Sequence, residues 1–383
     1  MDWLLSEDQR LLRDSVARLM ERHAPPDQVR RWDNERTYPE ALYQAWVDAG
    51  LLALPFPEDY GGLGAGVADL VVVALEIARV SADLFMAFSG SVFCGLNILK
   101  NGTEDQRRDW LPKIGSGEVR MAISISEPDA GSDVAAVRTT AERRGNAYRV
   151  NGRKLWCTGA GAPGTVLNTY LRSAPDRPAR EGLSLLLIDN DAPGLEIKRL
   201  DMLGRRSVGT YELSFMDVEV PADRLIGEEN RGWACLLSGL QAERIVSAAG
   251  SCGAAEGCLA MANAYAQERS QFGRPIGSNQ AIAHMLADMH TEVAAAKALT
   301  WTAAQKIAAG GDALGEVSMA KLFASETYAK VANQGMQILG AYGYSMEFDM
   351  QRHFRDSRAA TIAAGSSQML RNIIAGLNGA KVR

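Results

Sequence analysis

At 383 residues, 47% hydrophobic and 23% charged, the chain is long enough for two or three domains and reads as a soluble globular protein. A formal net charge of −5 argues against nucleic acid or an anionic membrane as the main partner, and no run of about 18 apolar residues offers a membrane span. The N-terminus, Met1-Asp2-Trp3-Leu4-Leu5-Ser6-Glu7-Asp8, is acidic early and lacks the basic start of a signal peptide, which points to the cytoplasm.

The first 120 residues carry a helical pattern. Leu11, Leu12, Val16, Leu19 and Met20 recur at helical spacing behind Ser6-Glu7-Asp8, a cap with an acidic first turn. Residues 41–49 repeat the pattern and stop at Gly50, Pro55 to Gly66 form a loop, and helical stretches follow from 70–80 and 105–114.

The period changes after Arg120. Residues 121–126 read as a strand, and further strands are expected over 165–171, 183–188 and 211–220. Asn151-Gly152, between Tyr148-Arg149-Val150 and Arg153-Lys154-Leu155-Trp156, predicts a hairpin with a type I′ turn. Residues 159–164 fit G-x-G-x-x-G literally, but Pro163 sits inside the turn and a strand follows. A dinucleotide fingerprint needs a helix there, so a hairpin loop is the better account.

From Gly232 the helical pattern returns, with helices expected over 235–269, 282–307 and 317–339. The first is rich in small residues (Gly250, Ser251, Gly253, Ala254, Ala255, Gly257), which permit close approach of another helix or of a ligand. The domains are therefore expected at 1–120 (helical), 121–228 (β) and 229–383 (helical bundle). Cys94, Cys157, Cys235, Cys252 and Cys258 contain no C-x-x-C pair, and His23, His284, His290 and His353 lack zinc-site spacing, so structural roles are expected and no metal is called for.

The most informative run is Ser126-Glu127-Pro128-Asp129-Ala130-Gly131-Ser132-Asp133, followed by Trp156-Cys157-Thr158. A small-residue turn with free amides and hydroxyls can hold a phosphate-bearing cofactor. Trp156 and Thr158, two apart on a strand, point to one face and suit a flat ring with polar edges.

These segments resemble the flavin-binding signature of the acyl-CoA dehydrogenase family. So do residues 54–62 for its N-terminal loop, 213–221 for the end of its β domain, and Gln267-Glu268-Arg269-Ser270-Gln271-Phe272-Gly273 and Gln337-Ile338-Leu339-Gly340 for its bundle. The resemblance implies a mainly α fold: an N-terminal helical domain, a middle β-barrel-like domain and a C-terminal four-helix bundle. It implies FAD as cofactor. Ile123, Ile125 and Ser126 would run along the flavin ring, with Gly131 and Ser132 near its pyrophosphate and Trp156 and Thr158 beside the ring. Arg269, Gln271 and Phe272 would reach the FAD of a neighbouring subunit, lined also by Gln280, Gln337, Gly340, Ser366 and Gln368, so a homotetramer or homodimer is implied. Ser132, Gln241 and Arg244 would lie near the acyl-CoA.

The chain departs from the family pattern at Ala364, where many relatives carry a catalytic Glu ahead of Gly365-Ser366-Ser367-Gln368. Alanine cannot accept a proton. Glu243 falls where isovaleryl-CoA and long-chain members place their base, and it is the candidate for removing the proton α to the thioester. Its competing reading is a bundle salt bridge with Arg244 or another Arg. The functions implied are, first, an acyl-CoA dehydrogenase passing electrons to an electron-transfer flavoprotein; second, an enoyl-CoA reductase of the crotonobetainyl-CoA type, or an oxidase of a carrier-protein-bound acyl or aminoacyl thioester; third, a non-catalytic DNA-associated relative, disfavoured by the acidic charge. The small pair Ala363-Ala364 suggests room for a branched or bulky acyl chain.

Overall fold

The computed structural model describes residues 4–381. The expected order of helices, strands and helices is present, because the hydrophobic period that marks each region also faces the core. The N-terminal region holds α1 (Glu7–His23), α2 (Pro26–Glu35), α3 (Glu40–Asp48), α4 (Val67–Val80), α5 (Ala82–Asn101) and α6 (Glu104–Gly115). The cap expected before α1 is a capping box: the Gln9 N–H donates to the Ser6 hydroxyl, and the Ser6 N–H donates to the Gln9 side chain, both at 3.1 Å.

The middle region holds β1 (Arg120–Ser124), β2 (Thr140–Arg144), β3 (Ala147–Thr158), β4 (Thr165–Arg172), β5 (Leu183–Asp189), β6 (Leu195–Arg199), β7 (Thr210–Pro221) and β8 (Leu225–Ile226). They form one mixed sheet in the order β6-β7-β3-β2-β4-β5-β8, with β1 parallel beside β4. The last region holds α7 (Gly232–Glu268), a short ribbon of β9 (Ser270–Gln271) and β10 (Arg274–Pro275), α8 (Gln280–Ala308), α9 (Leu314–Leu339), α10 (Ala341–Tyr344), α11 (Met350–Ala360) and α12 (Ser367–Leu377).

Two turn expectations are corrected. Asn151-Gly152 is not a hairpin turn; it lies inside the continuous strand β3. The turn is Gly145-Asn146, with Arg144 opposite Ala147. Gly152, at φ 139°, marks a slip in register against β7, and a Cβ there would come within 2.7 Å of Thr139. The sequence signal misled because β2, Thr-Ala-Glu-Arg-Arg, buries only Ala141 fully and shows no apolar alternation. Residues 159–164 do lead into a strand, β4, and not a helix, but they are no hairpin loop: β3 and β4 are not partners, and β2 lies between them.

The small residues of α7 serve helix packing. A Cβ on Gly253 would sit 2.1 Å from the Leu75 carbonyl oxygen, and one on Gly257 2.2 Å from that of Arg79, both on α4. Helices α5 and α7 are, by length and composition, apolar enough to cross a membrane, although polar residues interrupt their apolar runs. Their most apolar stretches are 67% and 78% buried inside the protein, as in core helices. All five cysteines are free and buried, and His353 is buried with its Nδ1 3.2 Å from the Tyr328 hydroxyl.

Polar ties join the three regions around the sheet. The Asp83 carboxylate accepts from the Ser207 N–H at 2.7 Å, the Asp356 carboxylate from the Arg205 N–H at 2.7 Å, and the Cys235 carbonyl from the Asn97 amide at 3.0 Å. The last of these clamps α5 to the start of α7, and the space between those helices and the sheet is the site.

Candidate active site

A cavity of about 370 Å³ lies between α5, β1, β4 and α7, within the range of small-molecule sites. Local periodicity builds each wall. Phe93, Leu96, Asn97 and Lys100 share one face of α5 by three- and four-residue spacing. Leu236, Gly239, Ala242 and Glu243 do the same on α7. Asn168 and Tyr170 alternate onto one face of β4, and Ile123 pairs across from Asn168, with Ile125 just beyond the end of β1. The lining is mainly apolar, and Glu243 is its one carboxylate among the described residues.

Glu243 makes no ion pair within 4.0 Å and accepts no hydrogen bond among the described residues. The alternative of a salt bridge with Arg244 or another Arg is therefore not the arrangement present among the described residues; Arg244, as neighbour i+1, diverges from Glu243 on the helix. Burial raises its pKa above the ordinary carboxylate value, against the opposing pull of the Arg244 and Lys321 charges. The Arg244 side chain is buried and packs against Gly365: a Cβ there would meet its guanidinium at 3.4 Å. Lys321 donates to the carbonyls of Ala360, Ala363 and Gly365 at 2.9, 2.7 and 2.7 Å. It thus pins the loop bearing Ala364, which adopts φ 55°. Ala363 and Ala364 do not line the cavity, so any room in it comes from other side chains.

The loop 126–133 and β3 meet beside this cavity. The Leu155 N–H donates to the Ser126 carbonyl at 2.8 Å. The next residue, Trp156, sits at φ 63° in a slip of register between Lys154 and Cys157, and 53% of its surface is exposed. A bulky residue at positive φ is a strained outlier of the kind that gathers at ligand sites. Cys157 turns inward, leaving Trp156 and Thr158 on the outer side, and the Thr158 hydroxyl lies 3.4 Å from that of Thr210. Gly131 and Ser132 are exposed, a Cβ on Gly131 would meet nothing within 4 Å, and neither residue's N–H donates to a protein acceptor among the described residues. An uncovered indole on β3 and unbonded amides on the loop that β3 holds fit a cofactor with an aromatic ring and a phosphate chain.

The remaining expected residues lie elsewhere. Gln241 is tied to Asp312 at 3.3 Å and does not line the cavity. Arg269, Gln271, Phe272, Gln280, Gln337 and Gly340 are all exposed near the far ends of α7, α8 and α9, with the Arg269 guanidinium 5.8 Å from the Tyr342 ring centre. By helix rise, Glu243 and Arg269 are ~39 Å apart along α7. Ser366 caps α12 by accepting from the Met369 N–H at 3.3 Å, and Gln368 is exposed on its first turn. Sequence reasoning passed over Asn97, Asn168 and Tyr170. The one available signal was a lone amide inside each of two apolar runs, in α5 and in β4.

Comparison with known proteins bears on the family and the fold. Three family models match in order: the acyl-CoA dehydrogenase N-terminal domain over residues 6–118, the middle domain over 122–218 and the C-terminal domain over 230–376. A mitochondrial isovaleryl-CoA dehydrogenase of Pongo abelii is 35% identical over 97% of this chain and 88% of its own. The acyl-CoA dehydrogenase structure from Geobacillus kaustophilus superposes with a TM-score of 0.94 at 33% identity, covering 98% of this chain and 99% of that one. A prolyl acyl carrier protein oxidase does so with a TM-score of 0.93 at 28% identity, covering 98% and 100%. With three matched domains in sequence and relatives alike from end to end, the chain belongs to the acyl-CoA dehydrogenases, a family of flavin-dependent oxidoreductases.

Proposed function

We propose that this enzyme binds FAD and dehydrogenates an acyl-CoA thioester between its α and β carbons, with Glu243 as the base that removes the α proton. The observation that carries the proposal is the single carboxylate of the cavity lining, Glu243, held without an ion pair in a mainly apolar wall. Such a carboxylate is desolvated and basic enough to accept a weakly acidic proton. FAD, when bound, supplies the acceptor for the hydride that leaves the β carbon. The chain's own residues do the rest. Ile123 and Ile125 present an apolar edge, Trp156 offers a ring face, and Gly131 and Ser132 offer donors for phosphate.

The exposed set of Arg269, Gln271, Phe272, Gln280, Gln337 and Gly340 is too far from Glu243 to serve the same cofactor within one chain. We place it against the FAD of a second copy, in a homodimer or a homotetramer. Electrons then pass to an electron-transfer flavoprotein. The decisive test is Glu243→Gln, which should keep FAD and lose reduction of the flavin by acyl-CoA. Near-normal reduction would refute the role of Glu243.

Likeness to a prolyl acyl carrier protein oxidase favours one second reading, a thioester carried on a protein rather than on CoA. Comparing flavin bleaching by the same acyl group on CoA and on a carrier protein separates the two.

A further inference from the structure

Several polar atoms of the cavity lining find no partner among the described residues. Asn97 is 7% exposed, Asn168 3% and Tyr170 2%, and all three line the cavity. The Asn97 amide nitrogen donates to the Cys235 carbonyl at 3.0 Å and to the Tyr170 hydroxyl oxygen at 3.3 Å, which fixes its orientation. Its own Oδ1 is left buried with no donor among the described residues, and so is the Oδ1 of Asn168. The Tyr170 oxygen accepts from Asn97, and its proton has no acceptor among the described residues. Asn168 lies between Ile123 and Leu187 in the sheet, a position that an apolar residue would ordinarily fill. Buried amides without partners are uncommon, and a group of them around one cavity is the mark of a ligand that completes them.

Resting on the reading of this cavity as the acyl pocket, we propose that the acyl group carries an uncharged substituent that both donates and accepts hydrogen bonds, a hydroxyl or a primary amide, received by Asn97, Asn168 and Tyr170. A hydroxyl can donate to an amide oxygen while accepting the tyrosine proton. A plain alkyl chain would leave all three groups unpaired, and sites built to bond a hydroxyl reject the analogue lacking it far more strongly than apolar pockets discriminate by one methylene. The neutrality of the substituent follows from the lining: beside Glu243 its other charged residue is Lys100, which is exposed and bonded to the Ser238 carbonyl at 3.0 Å.

Binding to the FAD-loaded Glu243→Gln enzyme, measured by calorimetry, tests this without turnover. An ω-hydroxyacyl-CoA is compared with the n-acyl-CoA in which methyl replaces the hydroxyl, across a series of chain lengths. At the best length the hydroxy ester should bind at least about tenfold tighter. Adding Asn168→Leu should reverse the order, and Tyr170→Phe, which removes only the hydroxyl, should shrink the preference. Equal binding of each pair, tighter binding of the methyl ester throughout, or binding of neither overturns the proposal, as does a ratio untouched by both variants. Bleaching of the Glu243 enzyme by plain alkyl esters with no hydroxy preference would sink this inference and leave the base assignment standing. A hydroxy preference in binding with no bleaching would do the opposite.

Discussion

The Lys154 ammonium lies 2.8 Å from the Glu127 carboxylate, both side chains almost wholly buried, and donates also to the Ile125 carbonyl at 2.8 Å. Glu127 in turn accepts from the N–H groups of Arg138 and Thr139 at 2.7 and 2.9 Å. Together with the Leu155–Ser126 hydrogen bond, this contact ties the loop of residues 126–133 to the strand that carries Trp156. The two halves of the proposed flavin site are thus held together by a charge pair beneath them.

Breaking that pair should be costly. Lys154→Met leaves Glu127 buried without its cation and should destabilise the fold by about 3 kcal/mol or more. FAD should also be retained less well, because the loop loses its charged tether to β3. Urea titration and the flavin-to-protein absorbance ratio of the purified variant check the two effects. A midpoint within experimental scatter of the parent would count against the pair as an anchor.

The same pair sets an acid limit. Burial pushes the Glu127 pKa up, but the Lys154 charge and its hydrogen bond, with those from Thr139 and Arg138, pull it below the ordinary 4.5 on balance. A depressed folded pKa means that its stabilisation is present above 4.5 and lost as pH falls through the folded value. Unfolding followed through that acid window should show the loss in the parent enzyme and a flatter profile in Lys154→Met.

Glu243 titrates in the other sense. Burial raises its pKa, opposed by Arg244 and Lys321. Only the ionised form can take a proton, so the rate of flavin reduction should climb with pH through a value above 4.5 and then level off. Glu243→Gln should reduce that rate by about 10²–10⁴-fold while leaving FAD bound. By linkage, the stability contributed by the protonated form fades as pH rises through the same value. Stopped-flow bleaching across pH gives the profile, and a rate flat from acid to neutral pH would remove Glu243 from the chemistry.

Close helix packing makes its own forecast. Gly253→Ala would drive a methyl group into the Leu75 carbonyl, where backbone cannot yield cheaply. A loss of about 1–3 kcal/mol is expected from overpacking, read as a lower thermal midpoint. Gly376→Ala, on α12 with nothing within 4 Å of the added carbon, is the control that should not destabilise.

Phe272 carries the assembly forecast. It is fully exposed at φ 53° on the tip of the β9–β10 ribbon, an uneconomical place for a large apolar ring unless another chain covers it. Phe272→Ser should lower the mass of the particle by light scattering, or weaken FAD retention, and a variant unchanged in both would show that the ring faces only water.

The order of helical, β and helical regions was legible because core-facing residues repeat with the period of their own element, near 3.6 for α1, which buries Val16 and Met20, and two at the start of β3, which buries Tyr148 and Val150. Family membership was legible in motifs such as 126–133 and 267–273, which are contiguous in the chain. So was the contrast between Ala364 and Glu243, since an alanine is no base in any fold. The turn at Gly145-Asn146 was hidden because the charged strand β2 shows no alternation, and Asn151-Gly152 offered a stronger local signal for an event that strand pairing overrode. Only the tertiary structure decided that Glu243 opens onto a cavity and not onto Arg244, that the glycines of α7 receive α4, and that Asn97 and Asn168 face one space. Those facts depend on contacts between α4, α5, β1, β4 and α7, most of which are distant in sequence, and local periodicity places a residue on a face without saying what that face meets.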